Sequence, residues 1–169
     1  TVNNEFILEP NKNLFLENIK GNSIELYVEI DSKKAKKFGL NVLSSRDGNE
    51  HTKIFIDKDQ SLLGIDVSRS SAQNPKYSQY MMIKGDEYKN KTTKVQSAPF
   101  KINDGEIIKL RIFIDKSIIE VFANDGMQSI TQVVFPTNED SVHVELFSDD
   151  SEIIVKKINS WSLFPSMQW

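Results

Sequence analysis

The sequence predicts an all-β domain built as a two-sheet antiparallel β-sandwich, and two observations lead to this fold class. The 169 residues include 19 Ile and 11 Val but only 4 Ala, and β-branched side chains favour strands over helices. Short alternating segments are separated by turn sequences such as Asp47-Gly48 and Asn103-Asp104-Gly105. Their spacing of about 8–12 residues in the second half is typical of a sandwich or barrel.

The predicted elements follow from local patterns along the chain. Ser23–Ile30 alternates apolar and polar residues, which indicates a half-buried strand. Similar strands are predicted at Phe38–Leu43, Lys53–Asp57, Leu62–Ser68, Val95–Phe100, Ile107–Asp115, Ile118–Ala123, Ser129–Phe135, Val142–Ser148 and Glu152–Ile158. Asp31–Phe38 begins with an acidic residue and predicts one helical turn, whereas Ser70–Tyr80 predicts a long loop. We expect residues 1–22 to form a lead-in and first strand, and residues 23–169 to form the sandwich.

The hairpin Lys109–Ala123 has the best-determined register. A two-residue turn at Lys116-Ser117 places six apolar residues on one face, pairing Ile114 with Ile119, Ile112 with Val121 and Leu110 with Ala123. A slip of one residue would mix the faces and is disfavoured. The opposite face then carries Arg111, Phe113, Asp115, Ile118, Glu120 and Phe122. Because this face is amphipathic, we expect it to contact another domain.

Composition and spacing exclude several classes of function. The net charge of −3 and the pI of about 5.5 argue against nucleic-acid binding through a basic face. No apolar segment approaches the ~20 residues that insert into a membrane. Cysteine is absent, the glycines are scattered singly, and His51 and His143 lack nearby ligands, so we expect neither a metal nor a cofactor. The chain lacks an initiator methionine and a signal peptide, from which we expect a longer parent protein.

Two kinds of candidate chemistry remain. Asp115 and Glu120 lie near one hairpin and could form the carboxyl pair of a glycosidase. The favoured interpretation is a turn-capping Asp115 and a Glu120 paired with Arg111. Exposed aromatic rings can stack on sugars, and the candidates for carbohydrate contact are Tyr77, Tyr80 and Tyr88. For Trp161, packing in the core or between domains is favoured.

The hairpin sequence resembles a known family signature. Leu110-Arg-Ile-Phe-Ile-Asp-Lys-Ser-Ile-Ile-Glu-Val-Phe-Ala-Asn-Asp-Gly126 is similar to a segment in the C-terminal domain of glycoside hydrolase family 32, which includes levanases, invertases and inulinases. The similarity continues through Thr131–Pro136 and Ile158–Leu163. It is looser upstream, at Phe38–Leu40 and Ile65–Ser70, where Val67 replaces the usual Arg.

The resemblance implies a fold and a role. It implies a lectin-like (concanavalin A-like, jelly-roll) sandwich behind a five-bladed propeller of the same polypeptide, and that propeller carries the catalytic acids. The family's Trp-x-Asn-Asp-Pro-Asn, Arg-Asp-Pro and Glu-Cys motifs are absent here. We therefore expect no catalytic residues in this chain. Its parent would hydrolyse β-fructofuranosyl bonds, and the chain would stabilise the propeller, with a homodimer through the sandwich left open.

Two other functions and the location also stay open. The chain could be a carbohydrate-binding module that holds fructan through the three tyrosines, or a free-standing lectin-like domain. The polysaccharide substrates of the family imply a secreted, periplasmic or cell-surface protein. A cytoplasmic sucrose-phosphate hydrolase is the alternative.

Overall fold

Two antiparallel sheets of six strands each form a sandwich in the computed structural model, which describes residues 5–72 and 94–164. The strands are β1 (Phe6–Leu8), β2 (Lys12–Lys20), β3 (Ser23–Asp31), β4 (Lys37–Ser44), β5 (Thr52–Asp57), β6 (Leu62–Asp66), β7 (Val95–Pro99), β8 (Ile107–Asp115), β9 (Ile118–Ala123), β10 (Gln128–Val133), β11 (His143–Ser148) and β12 (Ile153–Ser162). Sheet A has the order β1-β12-β3-β8-β9-β10, and sheet B has the order β2-β11-β4-β5-β6-β7. The predicted all-β sandwich is confirmed.

Alternation along β3 places its apolar residues between the sheets. Leu26, Val28 and Ile30 have no exposed area, while Tyr27 on the opposite face is half-buried. β3 lies at the centre of sheet A, paired with β12 on one side and β8 on the other. The core is formed by the inner faces of both sheets, where fully buried side chains from sheet B include Phe38, Leu40, Ile54, Ile56, Leu63 and Ile65.

The predicted register of the β8–β9 hairpin is confirmed. Ile114 lies opposite Ile119, Ile112 opposite Val121 and Leu110 opposite Ala123. Lys116 in the turn adopts a positive φ of 54°, which the two-residue turns that match strand twist require.

The helical turn expected at Asp31–Phe38 is wrong. β3 continues to Asp31, β4 begins at Lys37, and the residues between them form a tight turn. The Asp31 carboxylate does cap the segment, because its Oδ1 accepts a hydrogen bond from the Lys33 amide (3.0 Å), but Lys33 has a positive φ of 48°. An aspartate bonded to the amide two residues later stabilises a turn rather than a helix.

The segment 1–22 contributes two strands to different sheets. β1 pairs with β12 in sheet A, and β2 pairs with β11 in sheet B. β2 gives a weak sequence pattern because it is an edge strand with polar residues on both faces. β12 extends four residues beyond its predicted end at Ile158, to Ser162, and contains an irregularity between Val155 and Lys157.

The outer face of sheet B is covered by charged side chains over aromatic rings. The Phe55 ring lies against Gly64. A Cβ atom at position 64 would be 2.4 Å from Cζ of this ring, so only glycine leaves room for the ring. The ammonium groups of Lys37 and Lys53 lie 4.4 and 4.3 Å from the ring centroids of Phe55 and Phe147. Both rings are thereby shielded from solvent.

Candidate functional site

The outer face of sheet A carries a group of aromatic and charged side chains on neighbouring strands. Tyr27 of β3, Arg111 of β8 and Phe122 of β9 are cross-strand partners in one row. In the next row Phe113 of β8 lies between Glu25 of β3 and Glu120 of β9. We call the surface formed by Tyr27, Arg111, Phe113 and Phe122 the aromatic face.

Contacts within the aromatic face fix its geometry. The rings of Phe113 and Phe122 meet edge to face, with centroids 6.0 Å apart and an interplanar angle of 85°, an arrangement that aromatic pairs prefer. The guanidinium carbon of Arg111 lies 5.2 Å from the centroid of the Tyr27 ring. Together these side chains border a cleft of about 430 Å³ that is lined by Tyr27, Lys109, Arg111, Phe113, Phe122 and Asp125.

Tyr27 is held in its neutral form. Its pKa is raised to about 12, first by burial and then by Glu29, which acts through its charge and through the hydrogen bond that its Oε1 accepts from the Tyr27 hydroxyl (2.7 Å). Tyr27 is therefore not ionised and does not act as a general base near neutral pH. Tyr27 thus offers contact area rather than proton transfer.

The structure brings most of the predicted interface residues together. Arg111, Phe113, Glu120 and Phe122 share the outer face of sheet A as predicted. Ile118, beside the hairpin turn, is 46% exposed. Trp161 is also 46% exposed and lies opposite Glu25, so it is not a core residue. Contact of these residues with another domain stays a prediction.

The ion pair expected between Arg111 and Glu120 is replaced by another. The Arg111 Nη1 atom pairs with Glu25 on β3, which lies diagonal to it on the other side of β8. The sequence alone predicted the pairing of β8 with β9 but not that of β8 with β3. Glu25 was therefore missed as the competing partner of Arg111. Asp115 accepts a hydrogen bond from the Ser23 hydroxyl (3.4 Å), also on β3.

Two residues of this surface were not identified from the sequence. Tyr27 and Glu25 lie on β3. They come beside Arg111 because β3 pairs with β8, and that pairing joins residues about 90 positions apart. The alternation in Ser23–Ile30 was the available signal, because it already placed both side chains on the outer face.

Other candidates are outside this surface. Tyr77, Tyr80 and Tyr88 lie outside the described residues, so their contact with carbohydrate stays a prediction. Within residues 5–72 and 94–164, no group of three or more His, Asp or Glu side chains could hold a metal ion. In the same ranges no helix is long and apolar enough to cross a bilayer.

Glu50 is a buried acid whose carboxylate is bonded to the surrounding loops. It has no exposed area, and its two carboxylate oxygens accept hydrogen bonds from the loops that follow β6 and β10. Burial alone would raise its pKa, but these hydrogen bonds outweigh burial and lower it. A carboxylate that is ionised, fully bonded and closed to solvent does not serve as an acid for a substrate.

Comparisons with known proteins agree with this fold. The sequence profile described as glycosyl hydrolases family 32 C terminal matches residues 2–162. A levanase of Bacillus subtilis is 30% identical over 155 residues, which cover 89% of this chain and 20% of the levanase. A sucrose-6-phosphate hydrolase of Zymomonas mobilis is 28% identical over 144 residues, covering 83% of this chain and 24% of that protein.

Solved structures of similar fold come from enzymes named for fructans and sucrose. An exo-inulinase from Aspergillus awamori superposes with a TM-score of 0.71 at 21% identity, covering 95% of this chain and 28% of the other. A fructan 1-exohydrolase IIa from Cichorium intybus gives a TM-score of 0.68 at 21% identity, covering 95% and 35%. The chain spans about a fifth of the length of the levanase and a quarter to a third of these larger proteins. With the profile match over almost its whole length, the chain belongs to the C-terminal domain family of the family 32 glycosyl hydrolases.

Proposed function

We propose that this chain is a non-catalytic accessory domain of a fructan- or sucrose-hydrolysing protein, and that it stabilises a catalytic domain of the same polypeptide by docking through the aromatic face. The observation that carries the proposal is the aromatic face itself, with its cleft of about 430 Å³. The relatives extend far beyond the part that matches this chain, which supports a catalytic domain as the occupant.

The composition of the aromatic face favours a protein partner. Interfaces are enriched in aromatic residues and arginine, and the three rings here are half-buried. The neighbouring Ile118 and Trp161 extend the apolar area across sheet A. Arg111, held by Glu25 and the Tyr27 ring, adds a fixed charge that can select the register of the partner.

The absence of catalytic motifs supports a non-catalytic role. The three acid-bearing motifs attributed to the propeller of the family do not occur in this sequence. The relatives' names refer to levan, fructan and sucrose 6-phosphate, and we extend these substrate classes to the parent protein as part of the proposal. The fructan names support a location outside the cytoplasm, while the sucrose-6-phosphate names support the cytoplasmic alternative.

The proposal is tested with the purified chain and the catalytic domain proposed to be joined to it. We expect no fructose release from sucrose, levan or inulin by the chain alone, and association of the two domains in sedimentation velocity. Phe122→Asp and the milder Arg111→Ala should weaken association. The matched controls Val95→Asp and Arg46→Ala change exposed residues outside sheet A.

Three outcomes would overturn the proposal. Fructose release by the chain alone contradicts a non-catalytic role. Association that is equally weakened by the control variants, or absent in the wild type, contradicts docking through the aromatic face. A dimer of the chain that dissociates in Phe122→Asp assigns the face to self-association instead.

A further inference from the structure

The outer face of sheet B contains a second concave surface, which the docking proposal does not use. A cleft of about 270 Å³ lies across β2, β4, β5 and the end of β6. Its lining is polar and includes Asn13, Asn41, His51, Lys53, Asp66 and Arg69. We call it the polar cleft. Its volume is close to the lower end of the ~300–1,000 Å³ typical of ligand sites, which suits one small ring.

A buried carboxylate holds the floor of the polar cleft in place. Glu145 on β11 is 5% exposed, and its Oε2 accepts hydrogen bonds from the Nδ2 atoms of Asn13 (3.1 Å) and Asn41 (3.5 Å). The Ser44 hydroxyl donates to the other oxygen of the same carboxylate. These contacts orient both amides before any ligand arrives, which reduces the entropic cost of binding.

One polar atom at this floor lacks a partner. Asn41 is 4% exposed, and its Oδ1 accepts no hydrogen bond from the described residues. Buried acceptors are rarely left unpaired because the lost hydrogen bond costs free energy. A hydroxyl donor entering the cleft, with a small rotation of the amide, would supply the missing partner.

Charged groups on the wall of the polar cleft remain separate from one another. Lys53 and Asp66 are direct cross-strand partners, yet within the described residues they form no ion pair. The Lys53 ammonium lies over the Phe147 ring at 4.3 Å, and the Asp66 Oδ1 accepts the Ser68 amide at 2.8 Å. Each therefore keeps hydrogen-bonding capacity towards the cleft.

The remaining wall is held by the loop after β6. Arg69 donates from Nη2 to the Gly48 carbonyl (3.0 Å), and its own carbonyl accepts the His51 amide (2.8 Å). Burial lowers the pKa of His51, and the positive charges of Arg69 and Lys53 lower it further. A neutral imidazole offers one donor and one acceptor.

The balance of groups identifies the class of ligand. Two cations, Lys53 and Arg69, are offset by two carboxylates, Asp66 and Glu145, so a strongly charged ligand gains little here. The lining offers donors on Lys53 and Arg69 and an acceptor on Asp66, and sugar hydroxyls, which both donate and accept, can pair with either kind of group. We propose that the polar cleft binds a single unit of a neutral saccharide.

This site goes beyond docking, because it lies on the opposite face of the sandwich and on residues other than the three tyrosines. It rests on the proposed function only for the choice of fructose-containing probes. The test is a titration of the 169-residue chain with fructose, sucrose and 1-kestose, followed by amide chemical shifts, with maltotriose and sulfate as comparison ligands.

We expect at least one of the fructose-containing saccharides to shift amides of β4, β5 and β6 with saturation. Asp66→Asn replaces an acceptor by a donor while retaining an oxygen for the Ser68 amide, and should weaken binding about tenfold, the effect of one charged hydrogen bond. Arg69→Gln should weaken it similarly. Asp59→Asn is the matched control, because Asp59 is exposed in the β5–β6 turn and pairs with Lys36.

Several results would overturn the inference. These are the absence of saturable shifts with every fructose-containing probe, shifts confined to sheet A, an equal loss in Asp59→Asn, or binding of sulfate but of no sugar. Unfolding curves of each variant separate lost binding from lost folding. Because the titration uses the chain alone, its failure leaves the docking proposal unaffected, and a failure of docking leaves this result unaffected.

Discussion

Thr137 donates both its backbone N–H (2.9 Å) and its hydroxyl (2.8 Å) to the same oxygen, Oε1, of the buried Glu50 carboxylate. The Ala72 amide donates to Oε1 as well, at 2.7 Å. The other oxygen accepts the Asn138 amide (2.9 Å) and the Ser141 hydroxyl (2.5 Å). One side chain thus joins the β4–β5 loop, the loop after β6 and the β10–β11 loop.

Glu50→Gln should destabilise the chain by about 2–4 kcal/mol, because an amide nitrogen replaces an acceptor in a buried site that contains only donors. The measurement is urea unfolding followed by circular dichroism. Glu139→Gln is the matched control, since Glu139 is exposed and lies two residues from Thr137. A free energy of unfolding that is equal in the two variants would contradict this account of the three loops.

The contribution of Glu50 should depend on pH. Burial would raise its pKa, but hydrogen bonds from Ser141, Thr137, Asn138 and Ala72 lower it in the folded chain. The stabilisation is therefore complete above about 4.3, the value for an unfolded glutamate, and is lost as the pH falls through the lower folded-state pKa. The difference in unfolding free energy between the wild type and Glu50→Gln should shrink on acidification. A difference that stays constant below that value contradicts the prediction.

Lys116→Gly should stabilise the β8–β9 hairpin. Lys116 has a φ of 54°, and a left-handed conformation costs an ordinary residue about 1–2 kcal/mol. Glycine removes that cost but loses roughly 0.5–1 kcal/mol in conformational entropy, so the free energy of unfolding should rise by up to about 1 kcal/mol. Ser117→Gly, at a turn position without positive φ, should lower it. The free energy of unfolding is measured with urea. If both substitutions change it in the same direction, the strain assigned to Lys116 is contradicted.

Glu29→Gln should lower the pKa of Tyr27 from about 12. The substitution removes the negative charge that opposes phenolate formation, while burial keeps the pKa above its ordinary value of about 10. Ultraviolet absorbance titration measures the change, and the difference from the Tyr27→Phe variant isolates this phenol. Glu106→Gln, which alters an exposed acid bonded to Asn103, serves as the control. An unchanged pKa in Glu29→Gln would contradict the effect assigned to the charge of Glu29.

The sequence predicted those parts of the fold in which the two faces of a strand differ strongly. β3, β8 and β9 alternate without interruption, so their inward residues and the hairpin register followed from period and turn length. β2 was missed as a separate strand because its edge position exposes both faces. The turn after Asp31 was misassigned because an acidic residue before lysines is compatible with either a helix cap or a turn.

Contacts between distant loops could not be predicted in the same way. Glu50 meets Thr137 across 87 positions and Ser141 across 91, and no local pattern records such a pairing. The predicted Arg111–Glu120 pair was wrong for the same reason, since the partner of Arg111 depends on which strand lies beside β8. The polar cleft likewise combines residues of β2, β4, β5 and β6, whose order in sheet B is set by long-range pairing.

Leu8 pairs with Ile153, so that β1, the first of the described strands, lies beside β12, the last of them. During synthesis on the ribosome, β12 emerges after every other described strand, so β1 and the flank of β3 wait until then for the partner that they have in sheet A. Closing so large a loop is slow, and open strand edges recruit other chains. Nascent copies of this domain are therefore open to association with one another until β12 has left the ribosome.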